Sequence, residues 1–256
     1  MMKTQSLESI WGIVPVLVFV GAWEAVGRLN LFSGQFLLPP FSAVLKEFYQ
    51  LTANGVLGKN FASSLIRVLI GLCSGSVAGI VVGVLMGWRN VLNKALNPII
   101  SLLYPIPALG WLPLLMLWIG INEILPITII FICSFFPVVY NTATGIRNVD
   151  RGYIHAAETL GASNTRILFK VVIPLALPNI FTGLRLEAGM SWRVLVAAEM
   201  VAIPTGIGAL LMQAESLVRV DIIMVCLIVL SVMSLLFEKL FALAERQMVG
   251  RWRDHA

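Results

Sequence analysis

An all-α integral membrane protein of about six transmembrane helices is the fold class that the sequence predicts, and three observations predict it. Of 256 residues, 59% are hydrophobic and only 12% are charged, about half the charge density of an ordinary soluble chain. The mean hydropathy is +0.91. Uncharged runs recur at 9–23, 68–88, 95–122, 124–146, 200–214 and 222–237, where a membrane span takes about 20 residues. These figures argue against a soluble enzyme, a disordered tail or a nucleic-acid module. The net charge of +5 reads as a topology signal rather than a patch for polyanions. Residues 1–256 read as a single transmembrane domain.

The spans are expected at 10–29, 62–88, 94–118, 124–146, 178–203 and 218–243. The first carries no small-residue cleavage pattern and reads as a retained span. After it, Leu38-Pro39-Pro40 precedes Phe41, Val44, Leu45, Phe48 and Leu51, whose spacing suits an amphipathic helix on the outer surface. Lys/Arg placement orients the set. With the N-terminus inside, the cytoplasmic segments hold eleven basic residues and the external segments 28–60, 119–123 and 204–221 hold four. Both termini are therefore expected in the cytoplasm. Cys73, Cys133 and Cys226 each sit in an apolar run and read as small buried side chains, without a CxxC or a Cys/His cluster.

Three spans carry unusual residues. The second places Gly71, Gly75, Gly79, Gly83 and Gly87 at a strict interval of four. Small residues let another backbone approach closely. Because each step of four drifts about 40° around a helix, the stripe is expected to serve more than one neighbour, as a packing spine or a sliding surface. The third span holds Pro98, Pro105, Pro107 and Pro113, so a regular helix through 104–113 is not expected. Broken backbone at membrane depth needs protein or an aqueous cavity around it. Pro105, Pro107 and Trp111 are thus candidates to line a pathway, against the plainer reading of a kink. The fifth span contains Arg185, Glu187, Arg193 and Glu199. Such charges face the bundle interior, pair, or touch solute. Arg185 can snorkel, whereas Trp192, Arg193 and Glu199 are candidates for the path or for pairing with other helices or another subunit.

The segment 148–178 joins the fourth and fifth spans on the cytoplasmic side. Asp150 is a candidate N-cap for a short helix over 151–160, Gly161 can end it in a left-handed conformation, and Ser163 or Asn164 can cap a second helix. Such an element suits insertion into a cleft of a partner protein.

The run His155-Ala156-Ala157-Glu158-Thr159-Leu160-Gly161, followed after nine residues by Val171-Val172-Ile173-Pro174, resembles the cytoplasmic EAA loop of permease subunits of bacterial ABC importers. In that family the pattern is Glu-Ala-Ala, three residues, Gly, nine residues and Ile-x-Leu-Pro. Ala156, Ala157, Gly161 and Pro174 match in register, while His155, Val171 and Ile173 depart from it. Leu38-Pro39-Pro40, Trp111-Leu112-Pro113-Leu114, Leu117 to Glu123, Gly145 to Asp150 and Val196-Ala197-Ala198-Glu199 are similar to the nitrate/sulfonate/taurine branch, and the likeness covers nearly the whole chain.

The resemblance implies a type I importer fold of the MetI-like kind, in the bacterial inner membrane. It implies a homodimer with two cytoplasmic ABC ATPase subunits, contacted through His155, Ala156, Ala157, Glu158, Gly161 and Pro174. A periplasmic or lipid-anchored binding protein would deliver a small solute, an alkyl sulfonate, taurine or nitrate. The chain itself is not expected to be an enzyme or to hold a cofactor or metal. It lacks a GxxxxGK[ST] phosphate loop, so ATP and Mg would be bound by the ATPase partner. An ion-driven secondary transporter is the alternative, with Glu199 or Glu187 as coupling group, but it leaves the loop motif unexplained. An intramembrane hydrolase would need a base near a serine, and His155 and His255 both lie in the cytoplasmic segments.

Overall fold

The long apolar runs become long helices because in hydrocarbon a segment must satisfy its own N–H and C=O groups. The computed structural model describes residues 2–29 and 38–253, with side chains at 14–29 and 38–248, and every regular element among them is helical. The order is α1 (Met2–Leu29), α2 (Phe41–Ala53), α3 (Val56–Trp88), α4 (Asn90–Leu103), a 3-10 turn (Ala108–Trp111), α5 (Leu112–Ile119), α6 (Ile124–Arg147), α7 (Arg151–Thr159), α8 (Asn164–Ile167), a π turn (Leu168–Val172), α9 (Ile173–Ala202), α10 (Ile207–Ser216) and α11 (Val220–Arg253). Among the described residues, α3, α6, the run Asn164–Ala202 and α11 are long and apolar enough to cross a membrane, and α4 with the 108–119 segment makes a fifth, bent span. The predicted first span coincides with α1, although the side chains before residue 14 lie outside the described ones.

α6 is the central helix. α3 packs along one side of it through the glycine stripe, and a Cβ added at Gly71, Gly75, Gly79, Gly83 or Gly87 would stand 2.9, 2.7, 2.9, 2.8 or 3.1 Å from the carbonyl oxygens of Ile127, Phe131, Phe135, Val139 and Ala143. All five glycines therefore serve one neighbour, not several. The expected drift is absorbed because both helices present their i+4 rows, which run obliquely to the axis. On the other side α9 meets α6 through two reciprocal pairs, with Gly145 under Asn179 and Gly183 under Asn141.

Three further elements complete the bundle. The third span breaks within 104–113, as its prolines led one to expect: α4 and the 108–119 segment meet at 87°, because Pro105 and Pro107 each lack the N–H that a continuing helix would use. The segment 204–221, expected as an external connection, contains α10, with Ile207, Ala209, Leu210, Leu211 and Ala214 buried. Pro204 stops α9, and the apolar run after it gains more by folding back on α9 than by lying in water. The amphipathic helix α2 buries Val44 and Leu51 against Ile207, Leu211, Val225 and Cys226. Its Leu45 and Phe48 stay exposed, so it is clamped to the bundle by one side only. Of the cysteines, Cys226 is buried as expected, Cys133 is half-buried and Cys73 is exposed on α3, and all three are free.

Candidate functional site

Three places gather the chemistry-bearing residues. The first is the 148–178 segment. Asp150 accepts a hydrogen bond from the Gly152 N–H at 2.7 Å, satisfying one of the orphan donors of the α7 N-terminus. At the other end Gly161 has φ 78°. Its N–H donates to the Glu158 carbonyl at 2.9 Å, and the Ala162 N–H donates to that of Ala157 at 3.0 Å. Together these close the helix in a Schellman turn. Ser163 takes the N-cap place of α8 without a side-chain bond. Pro174 follows the π turn at 168–172, whose wider winding leaves room for a ring that would crowd the carbonyl four residues back.

The helix stands on the bundle through Ile154 and Ala157, which pack with Ile167 and Val172. Tyr153, His155, Ala156, Glu158 and Leu160 remain exposed, Leu160 at 87%. His155 Nδ1 lies 3.1 Å from a Glu158 carboxylate oxygen on that open face.

The second place is a buried polar network at the opposite end of α3 and α9. Arg67 is 3% exposed, and its guanidinium reaches the carboxylates of Glu199 and Glu123 and both the carbonyl and the hydroxyl of Thr205. Glu199 is wholly buried. It also accepts from the Ser64 hydroxyl at 2.9 Å and from the Gly208 N–H at 3.0 Å. That N–H belongs to the first turn of α10, whose dipole favours a negative charge there. The Ile207 N–H donates to Ser64, and the Gly206 N–H donates to the Asn60 side chain. Gly206, at φ 116°, could not carry a side chain, since a Cβ would lie 2.3 Å from the Glu199 carboxylate. Glu199 thus joins α3, α9 and α10. Arg67 is its partner, and an arginine inside the second span, where a charge needs a partner, was the available signal.

The third place is the break in the third span. Tyr104, Pro105, Ile106, Pro107 and Ala108 form one wall of a cavity of about 320 Å³, closed by Ile132, Cys133, Phe136 and Pro137 of α6 and by Glu187 and Met190 of α9. Glu187 is 7% exposed and accepts from the Cys133 thiol at 3.3 Å. Tyr104 is stacked on Tyr140, with ring centroids 5.5 Å apart.

The six residues expected along a path are not gathered in one spot. Pro105 and Pro107 line the cavity at the break. Trp111 lies in the 3-10 turn, packed against the cluster of Leu112, Leu115, Leu125 and Ile129. Trp192 is fully buried between Phe61 and Phe237. Arg193 is exposed and lines a separate groove of about 450 Å³ toward Ser231, Ser234 and Glu238 of α11. Glu199 belongs to the Arg67 network, and Arg185 approaches Glu245 at 3.4 Å.

Residues 75–250 match the family described as binding-protein-dependent transport system inner membrane component. The chain is 35% identical over 232 residues to the taurine transport system permease protein TauC of Escherichia coli strain K12, an overlap of 89% of this chain and 83% of that protein. In structure it is similar to a chain of an amino acid ABC transporter crystallised with histidines, with a TM-score of 0.63 at 21% identity over 78% of this chain and 97% of the other. It is also similar to a chain of the inward-facing MetNI methionine ABC transporter, with a TM-score of 0.57 at 17% identity over 70% of this chain and 92% of the other. The all-α architecture is thus the MetI-like permease fold, and the capped loop lies between α6 and α9. The chain belongs to the family of inner-membrane components of binding-protein-dependent transport systems.

Proposed function

We propose that this permease is the membrane-spanning half of an ATP-driven importer for a taurine-like small sulfonate. Two copies would work with two cytoplasmic ATPase subunits and an external solute-binding protein. The observation that carries the reading is α7. It is a helix of nine residues closed at both ends by hydrogen bonds, held to the bundle by one face and exposing Tyr153, His155, Ala156 and Leu160 on the other. A rigid, exposed helix is suited to seat in a partner's cleft and move as a body with it. The similarity to TauC supports the solute class.

In this reading ATP and its magnesium are bound by the ATPase pair. Closure of that pair pulls on α7, and α7 transmits the motion through Pro174 and α9 into the bundle. The cavity at the break between α4 and α5 is the part of this chain along which solute passes. Pro105 and Pro107 line it, while Trp111, Trp192 and Glu199 brace the helices around it. Arg193, exposed in its groove, faces the second copy. The excess of Lys and Arg beside the 148–178 segment and the termini supports their cytoplasmic side.

The test is reconstitution of this chain with its ATPase and binding protein in proteoliposomes, reading ATP-dependent taurine uptake. Leu160→Arg is expected to abolish uptake and solute-stimulated ATP hydrolysis while the permease remains folded and inserted. Full stimulation in that variant would refute the role of α7, and uptake driven by a proton or sodium gradient without ATP would refute the importer.

A further inference from the structure

Two carboxylates are buried in α9, and they are treated differently. Glu199 has an arginine, a hydroxyl and a helix N-terminus around it. Glu187 has one thiol, and among the described residues no Lys, Arg or His stands within ion-pair distance of it. A carboxylate in a span that is not paired is costly to keep, and this one lines a cavity.

The cavity's chemistry has a sign. At about 320 Å³ it is of the size that holds a small molecule. Pro105 and Pro107 bring no N–H donors to its wall, whereas an anion needs donors. The rings of Tyr104 and Phe136 line it too, and aromatic faces attract cations. Glu187 is the only carboxyl group in the lining, and no Lys, Arg or His shares it.

We propose that Glu187 selects the translocated solute at this cavity by taking a positively charged nitrogen, an ammonium or amidinium group, with Tyr104 and Phe136 beside it. The proposal rests on reading the cavity as part of the solute path. It means that a sulfonate carrying an amine passes, whereas a simple anion of the same size meets a repelling charge.

Cys133 reports this directly, because its thiol touches Glu187 and lines the same cavity. In membranes holding the assembled transporter, with Cys73 and Cys226 replaced by alanine, Cys133 is labelled during turnover with two methanethiosulfonate reagents of similar size. One carries a trimethylammonium group and the other a sulfonate. Both react with the same thiol, so their rate ratio cancels its accessibility, and dividing it by the ratio for a small free thiol, whose own thiolate already favours the cationic reagent, leaves the effect of the local charge. This normalised ratio is expected to favour the cationic reagent about tenfold or more, the scale of one nearby charge in a partly screened site. The preference should collapse toward unity in Glu187→Gln and persist in Glu187→Asp.

A normalised ratio near unity in the parent protein, or a normalised preference that survives Glu187→Gln, would overturn the selection by Glu187 and leave the importer reading standing. Protection of Cys133 from both reagents throughout turnover would overturn the path assignment itself, and the proposal with it.

Discussion

Arg67 and Glu199 meet where neither touches solvent, at 3% and 0% exposure, so each makes the other tolerable there. Removing one partner leaves an uncompensated buried charge, which costs about 3–5 kcal/mol. Arg67→Met is therefore expected to destabilise the permease by that amount, read as a loss of unfolding free energy in detergent. Glu199→Gln, which keeps an acceptor for Ser64 and Gly208, should cost less, and the double variant should cost less than the sum. Strictly additive losses would show that the pair is not coupled. Gly206→Ala tests the same network from the backbone. Its Cβ would fall on the Glu199 carboxylate, and its φ of 116° disfavours any side chain, so a loss of about 1–3 kcal/mol is expected. Glu199 stood out in the sequence as an in-span charge, but its partner did not. Arg67 is 132 residues away, and no local pattern connects α3 to the end of α9.

At the scale of the element, the glycine stripe is a contact surface with no slack. In Gly79→Val the new side chain would meet Val138 and the Phe135 carbonyl, both within 3.0 Å of the Cβ. Forcing α3 off α6 costs about 1–3 kcal/mol and is expected to abolish assembly of stable transporter, read by size-exclusion chromatography. Gly58→Ala is the control. It has nothing within 4 Å of the added Cβ, lies inside α3, and should raise stability by a few tenths to about 1 kcal/mol. The spacing of the stripe was legible in the sequence and its single partner was not, because a drift of 40° per step is corrected only by the path of the second helix. For α7 both ends were legible, since Asp150 and Gly161 act on their own neighbours. The departure at His155 is expected to be structurally mild. Its pairing with Glu158 is exposed and worth at most about 1 kcal/mol, so His155→Glu should fold normally. A melting temperature lowered by more than a few degrees would contradict that.

For the whole molecule, the Lys/Arg asymmetry predicts that fluorescent reporters fused to either terminus mature on the cytoplasmic side, and an extracytoplasmic signal from either fusion would reverse the orientation. The sequence by itself determined that the chain is helical, membrane-embedded and broken near residues 104–113, and where its loop helix begins and ends. Each of these follows from composition or from residues a few positions apart: hydropathy over a span, missing proline donors, a side chain capping its own helix. The tertiary structure alone decided that α10 folds back into the bundle, that the five glycines share one neighbour, and that the buried charges divide into a braced Glu199 and a Glu187 left facing a cavity. Those outcomes depend on which surfaces meet across the bundle. Burial and ion pairing act between groups far apart in the chain, and a buried carboxylate looks the same in sequence whether its partner is an arginine or a passing solute.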